Sequence, residues 1–264
     1  MENIKSVVNI AFENIRKWNV IHIFFIFPFS IAFFLIAAYI VPNISLALTK
    51  EILFLENHLL KIDYLFFVPD IFLGLLFFIF WFLYTYMIII SKSRKLFAYF
   101  LNQCFFLTLC LLMYHAFFYA SNILVGSTFL RIVYWVLYLL SFIYLFFGFY
   151  KSSKNITILS FNSNKISYIA ILAWVVLGTI NIFTNNMLSN SYLKFLNSLL
   201  VLIPLFCIVI FNYFFFVMID TIKIIYQILK NQEYYRKELG YSIEEWYGKK
   251  SKMYRDSVKQ NDLE

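Results

Sequence analysis

With 264 residues, 62% of them apolar, only 14% charged and a formal charge of +8, this chain lies far outside the range of soluble domains, where charged residues alone make up roughly a quarter. Its 34 phenylalanines and 20 tyrosines exclude a water-soluble globular enzyme and point to an integral membrane protein. Uncharged windows of about 20 residues recur along it, each long enough to cross a hydrocarbon core of about 30 Å as a helix. The expected fold is therefore all-α, with six transmembrane helices over 19–41, 64–90, 96–120, 128–150, 166–187 and 193–219.

In chain order, Ile4, Val7, Val8, Ala11, Ile15 and Trp18 form an apolar stripe that leads into the first span. Between spans one and two, LALTKEILFLENHLLKID places Leu48, Ile52, Leu55 and Leu59 on one helical face, with Lys50, Glu51, Glu56 and Asp63 mostly off it. Both segments read as amphipathic helices on the membrane surface with their stripes towards lipid. Residues 1–63 thus comprise an amphipathic helix, a span and an interfacial helix, and residues 64–219 a five-helix membrane segment. Residues 220–264 make a polar tail of mixed charge, helical to about Lys237 and irregular around Gly240 and Gly248.

Basic residues in the short loops set the orientation. Lys5, Arg16 and Lys17 precede span one, Lys92, Arg94 and Lys95 separate spans two and three, and Lys151, Lys154 and Lys165 separate four and five. These positions share one side, so both termini are expected in the positive-inside compartment: matrix in a mitochondrion, cytoplasm in a bacterium. Glu2 and Glu13 do not suit an Arg-rich import peptide. The abundance of Phe, Tyr, Ile, Asn and Lys fits an AT-rich genome translated beside its target membrane.

Chemistry is sparse. The sequence holds no nucleotide-binding glycine loop, zinc spacing or nucleophile constellation, so neither an enzyme acting alone nor a cofactor held by this chain is expected. Cys104, Cys110 and Cys207 fall inside spans without ligand spacing and read as small packing groups. From Ile71 to Ile219 there is no Asp or Glu. A proton route through these spans would have to rely on His115, Lys194, Arg131, tyrosines, water and amides or hydroxyls such as Asn197 and Ser198, because ionisable groups in the membrane are costly and rare. Each has a plainer reading. Asp70 after Pro69 suits a helix start, Arg131 and Lys194 lie near span ends where they can snorkel, and His115 suits hydrogen-bonded packing.

Three stretches together resemble a known family. FVPDIFLGLLFFIFWFLY supplies Pro69, Asp70 and Ile71, and TFLRIVYWVLYLL supplies Phe129, Arg131 and Leu137, with Tyr134 where the family usually has lysine. LGTINIFTNNMLSNSYLKFLNSLLVL places Asn185 and Asn186 on a helix connection, with Leu196, Asn197, Ser198 and Leu199 opening the next helix. Their order and spacing over 68–219 resemble NADH-ubiquinone oxidoreductase chain 2, the antiporter-like membrane subunit of respiratory complex I.

The resemblance implies that the last five spans correspond to the first five helices of that subunit. It implies a place in the mitochondrial inner membrane, or a bacterial inner membrane, among other complex I subunits and lipids, in a respiratory chain that couples electron transport from NADH to ubiquinone with proton translocation. Nucleic acid is not among the implied partners. Phe195 stands where the family has its membrane glutamate, beside Lys194, and the family's central lysines lie on later helices. The chain is thus expected to be the front part of a split subunit completed by a separate polypeptide. Two other classes also suit six spans: the membrane subunit of an ABC-type exporter, and an oligomeric channel whose Asn and Ser residues would line a pore.

Overall fold

Lipid offers no hydrogen bonds to the backbone, so long apolar stretches are driven to close their hydrogen bonds within themselves as helices. The computed structural model describes residues 2–19, 21–51, 68–150, 163–185 and 191–261, and among them every regular element is a helix. In order these are α1 (Glu2–Lys17), a π-helical turn (His22–Ile26) running into α2 (Phe27–Glu51), α3 (Asp70–Ser91), α4 (Lys95–Ile123), α5 (Thr128–Tyr150) and α6 (Ser163–Thr184). They are followed by α7 (Ser191–Leu200), α8 (Ile203–Lys230), α9 (Gln232–Glu238), α10 (Ile243–Tyr247) and α11 (Lys252–Asn261).

Among the described residues, five stretches are long and apolar enough to cross a membrane: His22–Lys50, Asp70–Ser91, Lys95–Ile123, Thr128–Phe147 and Asn197–Lys230. At about 1.5 Å rise per residue, each covers the roughly 30 Å of a hydrocarbon core or comes close to it. α6 falls where the fifth span is expected, and its described apolar part is the shorter run Trp174–Thr184. The protein is an all-α membrane protein.

The last expected span differs from its single-helix reading. It is two helices, interrupted by a turn at Val201 and Leu202, and α8 continues past residue 219 to Lys230. Pro204 explains the interruption, since a proline is tolerated in a helix's first turn but not further in. The extension follows from Ile222, Ile225 and Ile228, which keep one face of the helix buried. Of the interfacial helix expected between the first two spans, residues up to Glu51 belong to α2, and 52–63 lie outside the described residues, as does Asn186.

Packing groups the chain into two units. The first comprises Met1–Phe33, Gly74–Cys110 and Val217–Glu264. Its core is Val8, Ala11 and Ile15 of α1 against Leu96 and Tyr99 of α4, Ile225 and Ile228 of α8, and Trp246 of α10. The N-terminal stripe is therefore covered by protein rather than by lipid. Val8 and Ala11 are 0% exposed, because the tail returns to cover them. Phe12 meets both Tyr241 and Trp246 edge-on, at 5.4 and 5.8 Å between ring centroids.

The tail is more ordered than its polar composition suggests. Ser242 and Glu245 form a reciprocal capping box that starts α10. Lys95 Nζ donates to the Glu245 carbonyl at 2.6 Å. Gly240 and Gly248 take positive φ values of 75° and 83°. At Gly248 any Cβ would come 2.9 Å from the Lys92 carbonyl oxygen, so only glycine lets this turn lie against the α3–α4 connection.

The Glu233 carboxylate accepts from Arg236 Nη2 at 3.0 Å and from Tyr247 Oη at 2.8 Å. The Arg236 bond is the main cause that holds Glu233 below the usual carboxylate range. Burial, aided by the facing Glu233, pushes the Tyr247 phenol up to about 12.

The second unit comprises Phe34–Leu73 and Leu111–Phe216. It centres on stacked aromatics of α4 and α5, with Phe118 lying face to face on Tyr138 at 4.2 Å.

Candidate functional site

The connection Leu124–Ser127 joins α4 to α5; Val125, Gly126 and Ser127 in it are buried, and of their N–H groups only that of Val125 donates to a backbone acceptor among the described residues, the Asn122 carbonyl at 3.1 Å. Buried peptide groups without a backbone partner must find side-chain partners or cost several kcal/mol. Asparagines supply them. The Gly126 N–H donates to Asn197 Oδ1 at 2.9 Å, the Ser127 N–H donates to Asn181 Oδ1 at 3.2 Å, and Asn197 Nδ2 donates to the Leu124 carbonyl at 2.6 Å.

Asn197 Oδ1 also accepts from Asn181 Nδ2 at 2.9 Å and from Asn185 Nδ2 at 3.4 Å. One oxygen on α7 thus gathers donors from the α4–α5 connection, from α6 and from the residue that follows α6. Asn181, Asn185, Asn197 and Ser127 are each 0% exposed. Asn181 and Asn185 reach the same oxygen because a spacing of four puts them on one helical face. Ser127 completes the cluster: its Oγ accepts from the Leu130 N–H at 3.3 Å as α5 begins, and it lies 2.6 Å from Thr184 Oγ1.

Gly126 is required by space. A Cβ there would run into the side-chain amide of Asn185 and come within 2.8 Å of Asn197 Oδ1. The polar residues that interrupt the apolar sequence are therefore a lock on three chain segments, closed by amides that neither titrate nor attack.

The remaining expected site residues are distributed around this lock. Ser198 is buried and donates from Oγ to the Phe195 carbonyl at 2.6 Å. Lys194 is half-buried on α7, while Phe195 beside it is 55% exposed. Arg131, one turn into α5, is 2% exposed. It is enclosed by protein, unlike the snorkelling anchor that its place near a span end suggests, and its carbonyl accepts from Asn122 Nδ2 at 3.5 Å. His115 Nδ1 lies 3.0 Å from Tyr138 Oη, in a different hydrogen-bonded pair from the asparagine cluster. Pro69 and Asp70 are exposed, and the Pro69 carbonyl accepts the N–H groups of Phe72 and Leu73 as α3 starts.

Sequence reasoning passed over Asn181, Gly126 and Ser127. The available signal was the Gly-Ser pair in a short break between two spans, combined with amides recurring at 181, 185 and 197. Compared with known proteins, the chain matches no family model, no curated protein and no solved structure.

Proposed function

We propose that this protein is a non-catalytic membrane-arm subunit of a proton-pumping NADH:ubiquinone oxidoreductase, forming the front part of an antiporter-like unit in the mitochondrial inner membrane. Both termini face the matrix. The helices with the titrating residues come from a neighbouring polypeptide. The observation that carries the reading is the convergence on Asn197: Asn185 and Asn197, two of the residues behind the resemblance, meet in one buried cluster beside the start of the Arg131 helix.

The chemistry of the cluster supports a scaffold. Asn197 spends its acceptor on three donors and its amino group on a backbone carbonyl, which fixes helix ends without offering a proton to move. With no carboxylate between Ile71 and Ile219, a relay in this segment would need outside acids. The exposed apolar side chains Tyr192, Phe195 and Leu199 on α7 give the neighbouring polypeptide a surface to pack against.

The test is a native gel of solubilised membranes, stained for NADH dehydrogenase activity and probed for this chain. Co-migration with the activity is expected. Co-purification with an ATP-hydrolysing subunit in its place would assign the chain to an exporter and overturn the proposal.

A further inference from the structure

Within the first unit, the start of α4, the end of α8 and the tail helices line an open cavity of about 610 Å³. Among the described residues, four cations line it, Arg94, Lys95, Lys230 and Lys252, and no acid does. The rest of its wall is largely apolar and aromatic, with Phe97, Phe100, Tyr226 and Trp246. Lys95 opens one membrane-spanning stretch and Lys230 closes another. The cavity therefore lies at the ends of two helices that are long and apolar enough to cross a membrane.

This composition is selective in two ways. Lys95 is partly compensated by Glu244 and Glu245, but Arg94, Lys230 and Lys252 share the lining with no carboxylate, which favours an anion, and aromatic walls beside them favour one that carries hydrocarbon. Basic hollows between spanning helices on the positive-inside face suit the phosphodiester of an anionic lipid, where each Lys or Arg near the surface adds to the attraction. The cations are not held there by the fold alone: Arg94, Lys230 and Lys252 are exposed, whereas Lys95 is tied to the Glu245 carbonyl.

We propose that this cavity binds the headgroup of an anionic phospholipid, with the phosphodiester on Arg94, Lys230 and Lys252 and the first acyl carbons against Phe100 and Tyr226. The full-length protein in mild detergent, offered equal amounts of phosphatidylglycerol and phosphatidylcholine and read by native mass spectrometry, tests it. The wild type is expected to retain phosphatidylglycerol preferentially, and Arg94→Gln/Lys230→Gln/Lys252→Gln to lose that retention by roughly tenfold or more.

The single variants Lys230→Gln and Lys252→Gln, both at exposed positions, should each give a smaller loss, which keeps the test readable if the triple variant folds poorly. Lys250→Gln/Lys259→Gln removes charge outside the cavity lining and should leave retention unchanged. Equal retention of both lipids, or undiminished retention by all three cavity variants, would overturn the proposal. So would displacement of the lipid by inorganic phosphate at about 50 mM, because the site would then read a free anion.

Discussion

Tyr134 Oη donates to the carbonyl of Val201 at 2.6 Å, joining α5 to the turn where α7 gives way to α8. A helix interrupted at membrane depth leaves carbonyls without their usual N–H donors, and these need a partner from neighbouring side chains or water. Tyr134 is 1% exposed and Val201 0%, so the phenol serves a carbonyl that water does not reach. The tyrosine meets the local need without burying a second charge near Arg131.

Tyr134→Phe keeps the ring and removes this donor. The expected outcome is a folded protein destabilised by about 1 kcal/mol, seen as a lower thermal midpoint in detergent. An unchanged midpoint would show that the Val201 carbonyl finds another donor.

Asn197→Leu removes the acceptor of three donors and the donor to Leu124. Each buried group left unpaired costs about 1–3 kcal/mol, so the variant should fail to accumulate in membranes or should become protease-sensitive at the α4–α5 connection. Gly126→Ala should act in the same direction through the collision with Asn185. Immunoblots of membrane fractions check both.

Trp246→Ala should release the tail. Trp246 is 1% exposed in the core that covers the α1 stripe, and emptying such a site costs about 3–5 kcal/mol. Faster trypsin cleavage after Lys249 and Lys250, with the membrane helices still protected, is the expected pattern. A tail as resistant as the wild type's would mean that α1 does not depend on it.

The same tail should respond to acid. A carboxyl whose folded pKa is depressed contributes stability above its ordinary value of 4.5 and loses it as pH falls through the depressed value. Tyr247 is the opposite case: its raised value favours the neutral phenol, a contribution present below pH 10 and lost as pH rises through about 12. Tail protection should therefore be flat from about pH 5 to about pH 9 and fall below that window, with Glu233→Gln flattening the acid limb. Hydrogen exchange of the 232–247 segment measures it.

The spans were legible because the apolar runs are long and uncharged. The tail's packing was less so. Val8, Ala11 and Ile15 form a stripe whether they face lipid or Trp246, and periodicity alone does not distinguish the two. Ser242 and Glu245 did carry a readable helix start, with Trp246 directly after it. At the asparagine cluster, the polar positions 185 and 197 stood out in the sequence as a helix connection and a helix opening, but Asn197 accepting from the Gly126 N–H and Asn181 from the Ser127 N–H are contacts across 71 and 54 residues, which spacing cannot reveal. The burial of Arg131 is hidden from the sequence for the same reason: its enclosure comes from tertiary neighbours, while its position near a helix start is a local feature.

The central claim is that these helices scaffold a larger pump completed by another polypeptide. A photo-crosslinking amino acid at position 195, where Phe195 is exposed on α7, tests it most directly in native membranes. The account predicts an adduct with a different polypeptide that carries a lysine on a broken membrane helix. Adducts formed only between copies of this chain would contradict it.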